Sequence, residues 1–292
     1  MGNYTIAGEE IFSAYDIDGT EIFQDYDIDG DELLGGGPPV FPSSLTLLNS
    51  SQISTGQSAQ GMATYGGYIF QYFSVSNKMK ILNMADFSPV NEISCSGIGH
   101  VNTLQFGDVE TDTGFPLLYA SDNPDSGTQT VYVLKPSLSA ISVENTISLP
   151  SAVGNAANAV FDFENNLIYT VGYTSNADDS TGECIVCVLD MNNPSTVIDT
   201  WRYQYLGVIN GLVWNGTHIV LNCNTWSGYD VVFYWIKPST RVIVHSETFT
   251  KEYDSEYQGF SYYESTFYLV SKWVYKTVAG SRNLYYEFYN LS

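Results

Sequence analysis

One motif occurs five times after residue 40, and it restricts the possible fold more than any other feature of this sequence. Each copy contains an amide residue, a small residue, an apolar run, a turn and a second apolar run. Successive copies are separated by 42, 56, 52 and 48 residues, and they begin at Gln60, Asn102, Asn158, Asn210 and Gln258. Short apolar runs repeated at this interval are typical of four-stranded propeller blades. We therefore predict an all-β fold, a five-bladed β-propeller over residues 41–292.

Turn residues and the last repeat are consistent with this prediction. Gly66-Gly67, Asn165-Asn166 and Asn215-Gly216 stand at the same point of three repeats, where each would join the first strand of a blade to its second. The last repeat has only three candidate strands, the third over 283–290. We expect 44–50 to supply the missing fourth strand, because a closed ring leaves no exposed sheet edge.

Residues 1–40 differ in composition from the rest of the chain. They hold ten acidic residues and no basic residue, and the sequence Tyr-Asp-Ile-Asp-Gly occurs in both 14–23 and 25–34. Asp18-Gly19 and Asp29-Gly30 favour two-residue hairpin turns. A Gly/Pro linker follows. This segment has too little apolar surface to fold alone. We predict a short N-terminal segment of β-hairpins, which either stays mobile or docks on a partner.

Two patterns in the sequence resemble metal sites, but neither of them is complete enough to predict one. Asp25, Asp27 and Asp29 match the start of an EF-hand loop, but Gly36 stands where the bidentate Glu belongs. Turn chemistry explains these acids, and a looser cation site on them is the open alternative. Cys184 and Cys187 lie in one predicted strand, where i and i+3 face opposite sides. We expect ordinary buried thiols, no metal and no cofactor.

Charge and hydropathy exclude several classes of partner. The net charge is −22, from 32 acidic and 10 basic residues, so nucleic acid and anionic membranes are expected to be repelled. A cation or a neutral polymer such as a polysaccharide is an easier partner. The start MGNYTIAGEE has neither the basic nor the apolar region of a signal peptide. No apolar run is long enough for membrane insertion.

The predicted fold places the candidate ligand-binding residues at one end of the blades. The five amides should surround one mouth of the central channel, with the long polar loops 121–128, 175–182 and 224–230 on the same face. Two alternatives are open for the amides, a structural tie between blades and a small polar pocket. His100 could line the mouth or be structural. Trp226 and Tyr229, in a glycine-containing loop, could stack on a ligand or cover the blade.

Catalytic motifs are absent from the sequence, so we expect no enzyme. The runner-up is a glycoside hydrolase, which needs paired carboxylates facing the channel. Asp162 is the clear acid of the predicted innermost strands, while Asp108 and Asp254 lie near blade entrances. No catalytic residue is assigned on this basis.

Two segments resemble proteins of bacteriophage and prophage particles. The repeated YDIDG hairpins resemble N-terminal segments of tail fibre and baseplate proteins, and GHVNTLQFGDVETDTGFPLLYASDNP at 99–124 is similar to propeller domains of such proteins. The resemblance implies a virion component, assembled in the host cytoplasm, in which residues 1–40 join other tail proteins. It implies a propeller that binds a host surface polymer, with carbohydrate as the preferred class. A homotrimer follows from the fibre analogy alone, and a purely structural virion protein is the other alternative.

Overall fold

The structure is a computed structural model. Beyond residue 40 it describes residues 41–52, 58–122, 124, 128–175, 180, 182–225, 230–250, 255–278 and 281–292. It describes the backbone alone of residues 255, 272, 273, 275–278 and 281–284, and of four short strands that precede residue 23. The chain divides into two compact units, Met1–Phe41 and Pro42–Ser292.

The described part of the first unit contains two antiparallel hairpins. Strand β1 (Tyr4–Ile6) pairs with β2 (Glu9–Ile11), and β3 (Ala14–Tyr15) pairs with β4 (Glu21–Ile22). The second pair brackets Asp18-Gly19, as the sequence predicts. That turn, the whole of 25–34 and the acids weighed there as a cation site lie outside the described residues. The β1–β2 hairpin has no counterpart in the sequence prediction, because its segment lacks an Asp-Gly or Asn-Gly turn.

The second unit consists of five antiparallel sheets of four strands each, which confirms the predicted five-bladed propeller. Blades 1 and 2 contain β6 (Ala59–Tyr65), β7 (Tyr68–Phe73), β8 (Lys78–Asn83), β9 (Pro89–Ser94), β10 (Val101–Glu110), β11 (Pro116–Asp122), β12 (Thr130–Pro136) and β13 (Ile141–Ser148). Blades 3 and 4 contain β14 (Asn155–Asp162), β15 (Leu167–Tyr173), β16 (Glu183–Asp190), β17 (Asn193–Gln204), β18 (Val208–Trp214), β19 (Ile219–Asn224), β20 (Asp230–Lys237) and β21 (Val242–Thr250). Blade 5 contains β22 (Ser255–Tyr263), β23 (Thr266–Val278), β24 (Ser281–Leu291) and β5 (Leu45–Gln52).

The first strand of each repeat is the innermost strand of its blade. These strands, β6, β10, β14, β18 and β22, each contact the innermost strands of both neighbouring blades, so that they form a closed ring. Strand β10 also comes within 8 Å, Cα to Cα, of β18 and β22, which belong to blades that are not its neighbours. The central channel is therefore narrow.

The predicted turns lie between the first and second strands of their blades. Gly66 and Gly67 both have positive φ, at 58° and 81°, as a type I′ hairpin turn requires. Asn166 at 56° and Gly216 at 93° adopt the same left-handed region in blades 3 and 4. Glycine and asparagine accept this conformation at low cost, which is why the pattern identified the blades.

Blade 5 is completed by β5, as the sequence predicts. Strand β5 pairs antiparallel with β24 from Leu45↔Leu291 to Gln52↔Tyr285, with one shift in register between Phe288 and Tyr289. The backbone amides of Ser43 and Ser44 donate to the Ser292 carbonyl at 2.9 and 2.8 Å. The ring is thus held closed by the hydrogen bonds of a whole strand pair.

The hydrophobic core lies between adjacent blades. Separate clusters fill the spaces between blades 1 and 2, 2 and 3, 3 and 4, and 5 and 1. Blades 4 and 5 meet through aromatic rings, with Phe233 and Phe260 at 5.2 Å between centroids. All four cysteines are buried as free thiols, which confirms the expectation of ordinary buried thiols. Cys184 and Cys187 belong to different clusters, because they face opposite sides of β16.

Candidate functional site

The five predicted amides lie near the beginning of the five innermost strands. Every one of these strands has a shift in register against its second strand at this point, between Ala59 and Met62 in blade 1 and between Val101 and Thr103 in blade 2. The same shift occurs at Asn158, Asn210 and Gln258. Such β-bulges redirect a side chain and bend the strand. The repeated amide therefore marks the position of a β-bulge in each blade. The sequence alone did not show these bulges.

The small residue that follows each amide allows neighbouring blades to approach closely. A Cβ added to Gly259 would lie 2.4 Å from the Gln60 carbonyl oxygen, and one added to Gly211 would lie 3.1 Å from the Gln258 carbonyl oxygen. At Gly61 the corresponding contact is 3.1 Å, to the Val101 carbonyl oxygen. The small residue is therefore a packing requirement of the ring.

Some of the amides tie one blade to the next. The Thr103 hydroxyl of blade 2 donates to Asn158 Oδ1 of blade 3 at 3.0 Å. The Gln258 amide nitrogen of blade 5 lies 3.5 Å from Asn210 Oδ1 of blade 4 and donates to Glu256 at 2.8 Å. The structural alternative of the sequence analysis thus accounts for part of the ring.

Four of the five amides also carry a buried atom that has no hydrogen-bond partner among the described residues. These atoms are Gln60 Oε1, Asn102 Oδ1, Asn158 Nδ2 and Gln258 Oε1, and none of the five side chains is more than 4% exposed. Leaving a buried polar group unpaired costs about 1–3 kcal/mol. Native proteins satisfy such atoms with bound water or with a ligand. The ring is therefore able to hold a small polar group, which is the other alternative.

His100 lies at the same end of the blades, ahead of β10. Its side chain is exposed, while its backbone amide donates to Asp122 Oδ1 at 2.8 Å. Burial raises the pKa of the Asp122 carboxyl, and the hydrogen bond from His100 offsets part of that effect. The segment before blade 2 is thus fastened to the end of β11, and the imidazole faces outward.

A larger cavity lies at this end between blades 2 and 3. Its volume is about 660 Å³, within the range of about 300–1,000 Å³ that is typical of ligand pockets. Thr128 and Thr174 line it from the two long loops that connect second to third strands. Ser151 and Asn155 line it from the connection into β14. Their length and polarity predicted that these loops lie on the binding face, but no sequence pattern indicated the individual lining residues.

The polar groups of this cavity are mostly held in place. Gln129 Oε1 accepts a hydrogen bond from the Ala157 amide at 3.0 Å, and Asn155 Nδ2 donates to the Ser175 carbonyl at 3.1 Å. Arg202, also in the lining, forms an ion pair with Glu183 at 3.0 Å. Both charged side chains are largely exposed, so this pair contributes little to stability. The cavity offers hydroxyl, amide and guanidinium groups that are suited to a hydroxyl-rich ligand.

Trp226 and Tyr229 lie outside the described residues, as do half of loop 121–128 and most of 175–182. Their roles as ligand contacts stay predictions.

Of the acids considered for catalysis, the two that the structure describes do not lie at the amide ring. Asp162, at the far end of β14, accepts hydrogen bonds from the Asn165 backbone amide at 3.2 Å and from Asn165 Nδ2 at 2.9 Å, so it caps a hairpin turn. Asp108 is exposed on β10, and Asp254 lies outside the described residues. Glu256 is a half-buried acid bonded to a ring amide, and no motif in the sequence marks it.

In the part of the chain that the structure describes, no three His, Cys, Asp or Glu side chains form a group that could hold a metal ion. Nor does any helix there have the length and apolar character needed to cross a membrane.

No protein-family model and no curated protein sequence matches this chain. The chain is similar in structure to the glutaminyl cyclase of Myxococcus xanthus, with a TM-score of 0.53 and 14% identity over 84% of this chain and 96% of that one. It is also similar to an exo-beta-1,3-galactanase from Phanerochaete chrysosporium, with a TM-score of 0.52 and 12% identity over 87% of this chain and 64% of that one. At these identities the likeness supports the propeller fold alone.

Proposed function

We propose that the propeller binds a hydroxyl-rich polymer of a host cell surface, with carbohydrate as the preferred class. The cavity between blades 2 and 3 carries this proposal, because it combines the volume of a ligand pocket with hydroxyl groups and with amide groups that hydrogen bonds hold in place. Neutral polymers also suit a chain with a net charge of −22. The unpartnered atoms of the amide ring are a second, buried group of polar atoms at the same end of the blades.

The same proposal makes the protein a virion component, a tail fibre or baseplate protein assembled in the host cytoplasm. Its support is the resemblance of the YDIDG repeats and of 99–124 to phage proteins. Residues 1–40 then attach the propeller to other tail proteins. Deleting residues 1–40 should leave the urea midpoint of the propeller unchanged and abolish its incorporation into particles. A truncated chain that fails to fold would contradict this division of roles.

Blocking the cavity tests the binding proposal. Ser151 is exposed in the lining, so Ser151→Trp fills the space without disturbing the core. Ser139→Trp is the matched control, because Ser139 is equally an exposed turn serine and is not part of the lining. On an array of bacterial capsular and wall polysaccharides, we expect the full-length protein and the control to bind and Ser151→Trp to lose at least tenfold in affinity.

Failure of the wild-type protein to bind any polysaccharide or host cell would favour the purely structural virion protein. Trp226→Ala, in the same assay, tests whether the loop aromatic contributes to binding. Retained binding in this variant would remove Trp226 from the site.

A glycoside hydrolase is the second candidate, and Glu256 is the observation that favours it. This carboxylate accepts a hydrogen bond from Gln258 at the ring and is partly accessible. Incubation with the polysaccharides that bind should then release reducing sugar, and Glu256→Gln should abolish the release. If Asp162→Asn abolishes the release of reducing sugar and Glu256→Gln does not, the catalytic acid is Asp162. Binding without release supports the first proposal.

A further inference from the structure

A second cavity lies among the innermost strands at the ends opposite to the amide ring. Its volume is about 230 Å³, and all five innermost strands contribute to its lining. The residues involved are at or near the last residues of these strands, whereas the amides are near the first. This cavity is therefore separate from both features described above.

Aromatic side chains dominate the rim of this cavity. Five half-buried aromatic residues form the rim: Tyr65, Phe106, Trp214, Tyr262 and Tyr263. Aromatic faces that remain partly open at a cavity are suited to contact the C–H face of a flat or ring-shaped ligand.

Hydrogen bonds and ring contacts fix the orientation of these aromatics. The Tyr65 hydroxyl donates to Glu110 at 2.7 Å, and the Tyr263 hydroxyl accepts from the Gly66 amide at 3.3 Å. Trp214 packs against Tyr169 with 4.9 Å between ring centroids. Because the rings are held before any ligand arrives, binding would lose little side-chain entropy.

Polar groups lie one residue before the aromatic positions on two strands. Thr64 and Ser261 are buried, and their hydroxyl oxygens are 2.9 Å apart. One hydroxyl donates to the other, so the second keeps a proton for a ligand. Among the described residues that line the cavity, none has a charged side chain. The Glu110 carboxylate beside the rim disfavours an anion.

We propose that this cavity binds a single neutral pyranose ring, such as the terminal hexose of a glycan. Its volume is below the about 300–1,000 Å³ of pockets for larger ligands, so it takes one ring and not an oligomer. A pyranose presents an apolar C–H face to Trp214 and hydroxyls to the Thr64–Ser261 pair. A phenylalanine side chain of a peptide would leave that hydroxyl pair without a new partner.

The test uses the full-length protein and three probes, methyl β-D-glucopyranoside, methyl β-D-galactopyranoside and N-acetyl-D-glucosamine. Saturation-transfer NMR detects which ring protons contact the protein, and titration gives the Kd. Trp214→Ala should weaken binding about tenfold, while Trp214→Phe should retain most of it. Trp201→Ala is the matched control, because Trp201 packs on the same core cluster as Trp214 but does not line the cavity.

Each outcome decides the proposal. Saturation of the sugar ring protons that is lost in Trp214→Ala and kept in Trp201→Ala supports it. Absence of transfer to all three sugars overturns it, as does equal loss in both tryptophan variants. Binding of N-acetyltryptophanamide in place of the sugars also overturns it, since the occupant would then be a peptide aromatic. The Ser151→Trp variant should bind these monosaccharides at this cavity normally, so failure here is distinguishable from failure of the proposed function.

Discussion

Replacing Gly259 with alanine tests whether the small residue after each amide is a packing requirement. The new Cβ would lie 2.4 Å from the Gln60 carbonyl oxygen and 2.8 Å from Met62 Cβ, both in the neighbouring blade. Real Cβ atoms keep at least 3.0 Å from such neighbours, so the inner strands of blades 5 and 1 must separate. Overpacking costs about 1–3 kcal/mol, and a backbone oxygen cannot rotate away, so we expect a loss of about 3 kcal/mol.

The equivalent glycines provide a graded series. Gly211→Ala brings its Cβ to 2.8 Å from Phe260 Cβ, and we expect an intermediate loss of about 1 kcal/mol. At Gly61 the nearest atoms are at 3.1 Å, which a small shift relieves. Alanine also stabilises by about 0.4–1 kcal/mol through the unfolded chain, so Gly61→Ala should be close to neutral. Blade 3 already has alanine at this position, Ala159.

Urea unfolding followed by tryptophan fluorescence and far-UV circular dichroism measures the series. We expect the midpoint to fall in the order Gly259→Ala, Gly211→Ala, Gly61→Ala, with Gly259→Ala lowest and an unchanged m-value. Gly107→Ala is the control on an innermost strand, because its Cβ would meet nothing closer than 3.4 Å. Equal midpoints for Gly259→Ala and Gly61→Ala would refute the close approach of the blades.

Three further outcomes are expected. Asp162→Ala should lower stability by about 1 kcal/mol, measured by urea unfolding, because it removes both acceptors of the hydrogen bonds that Asn165 donates in the hairpin turn. Burial raises the pKa of Asp122, so its stabilising contribution is present at low pH and is lost as pH rises through the raised pKa. Asp122→Asn should therefore unfold at higher urea than wild type at neutral pH, and this gain should vanish below the ordinary carboxyl pKa; a gain independent of pH contradicts the reasoning. Burial also raises the pKa of the Cys95 and Cys184 thiols to about 11, so iodoacetamide should label native protein far more slowly than unfolded protein, as mass spectrometry can show.

The number of blades, their turns and the strand that closes the ring could be predicted from the sequence. Each of these features is written in adjacent residues. Gly66-Gly67 and Gly216 mark turns because few other residues accept positive φ there, and apolar alternation marks the strands beside them. The closing role of 44–50 followed from counting the strands that a blade needs.

The amide positions could be located from the sequence, but their chemistry could not. A β-bulge at each amide depends on how the second strand pairs with the first, and the unpartnered atoms of Gln60 and Gln258 depend on which neighbours surround them. Likewise, the sequence marks Asp162 as the clear acid of an innermost strand. Its hydrogen bonds with Asn165, which only the structure shows, make it the cap of a turn.

The two cavities were decided by the tertiary structure alone. Trp214 and Tyr65 are far apart in the chain, but both line one cavity because the blades are arranged around a common axis. Thr128 and Ser151 line the other cavity because it lies between blades 2 and 3. Local patterns encode turns and strands, since these depend on neighbouring residues. The angle and spacing between packed sheets depend on the volumes of all the side chains between them, which no short stretch of sequence contains.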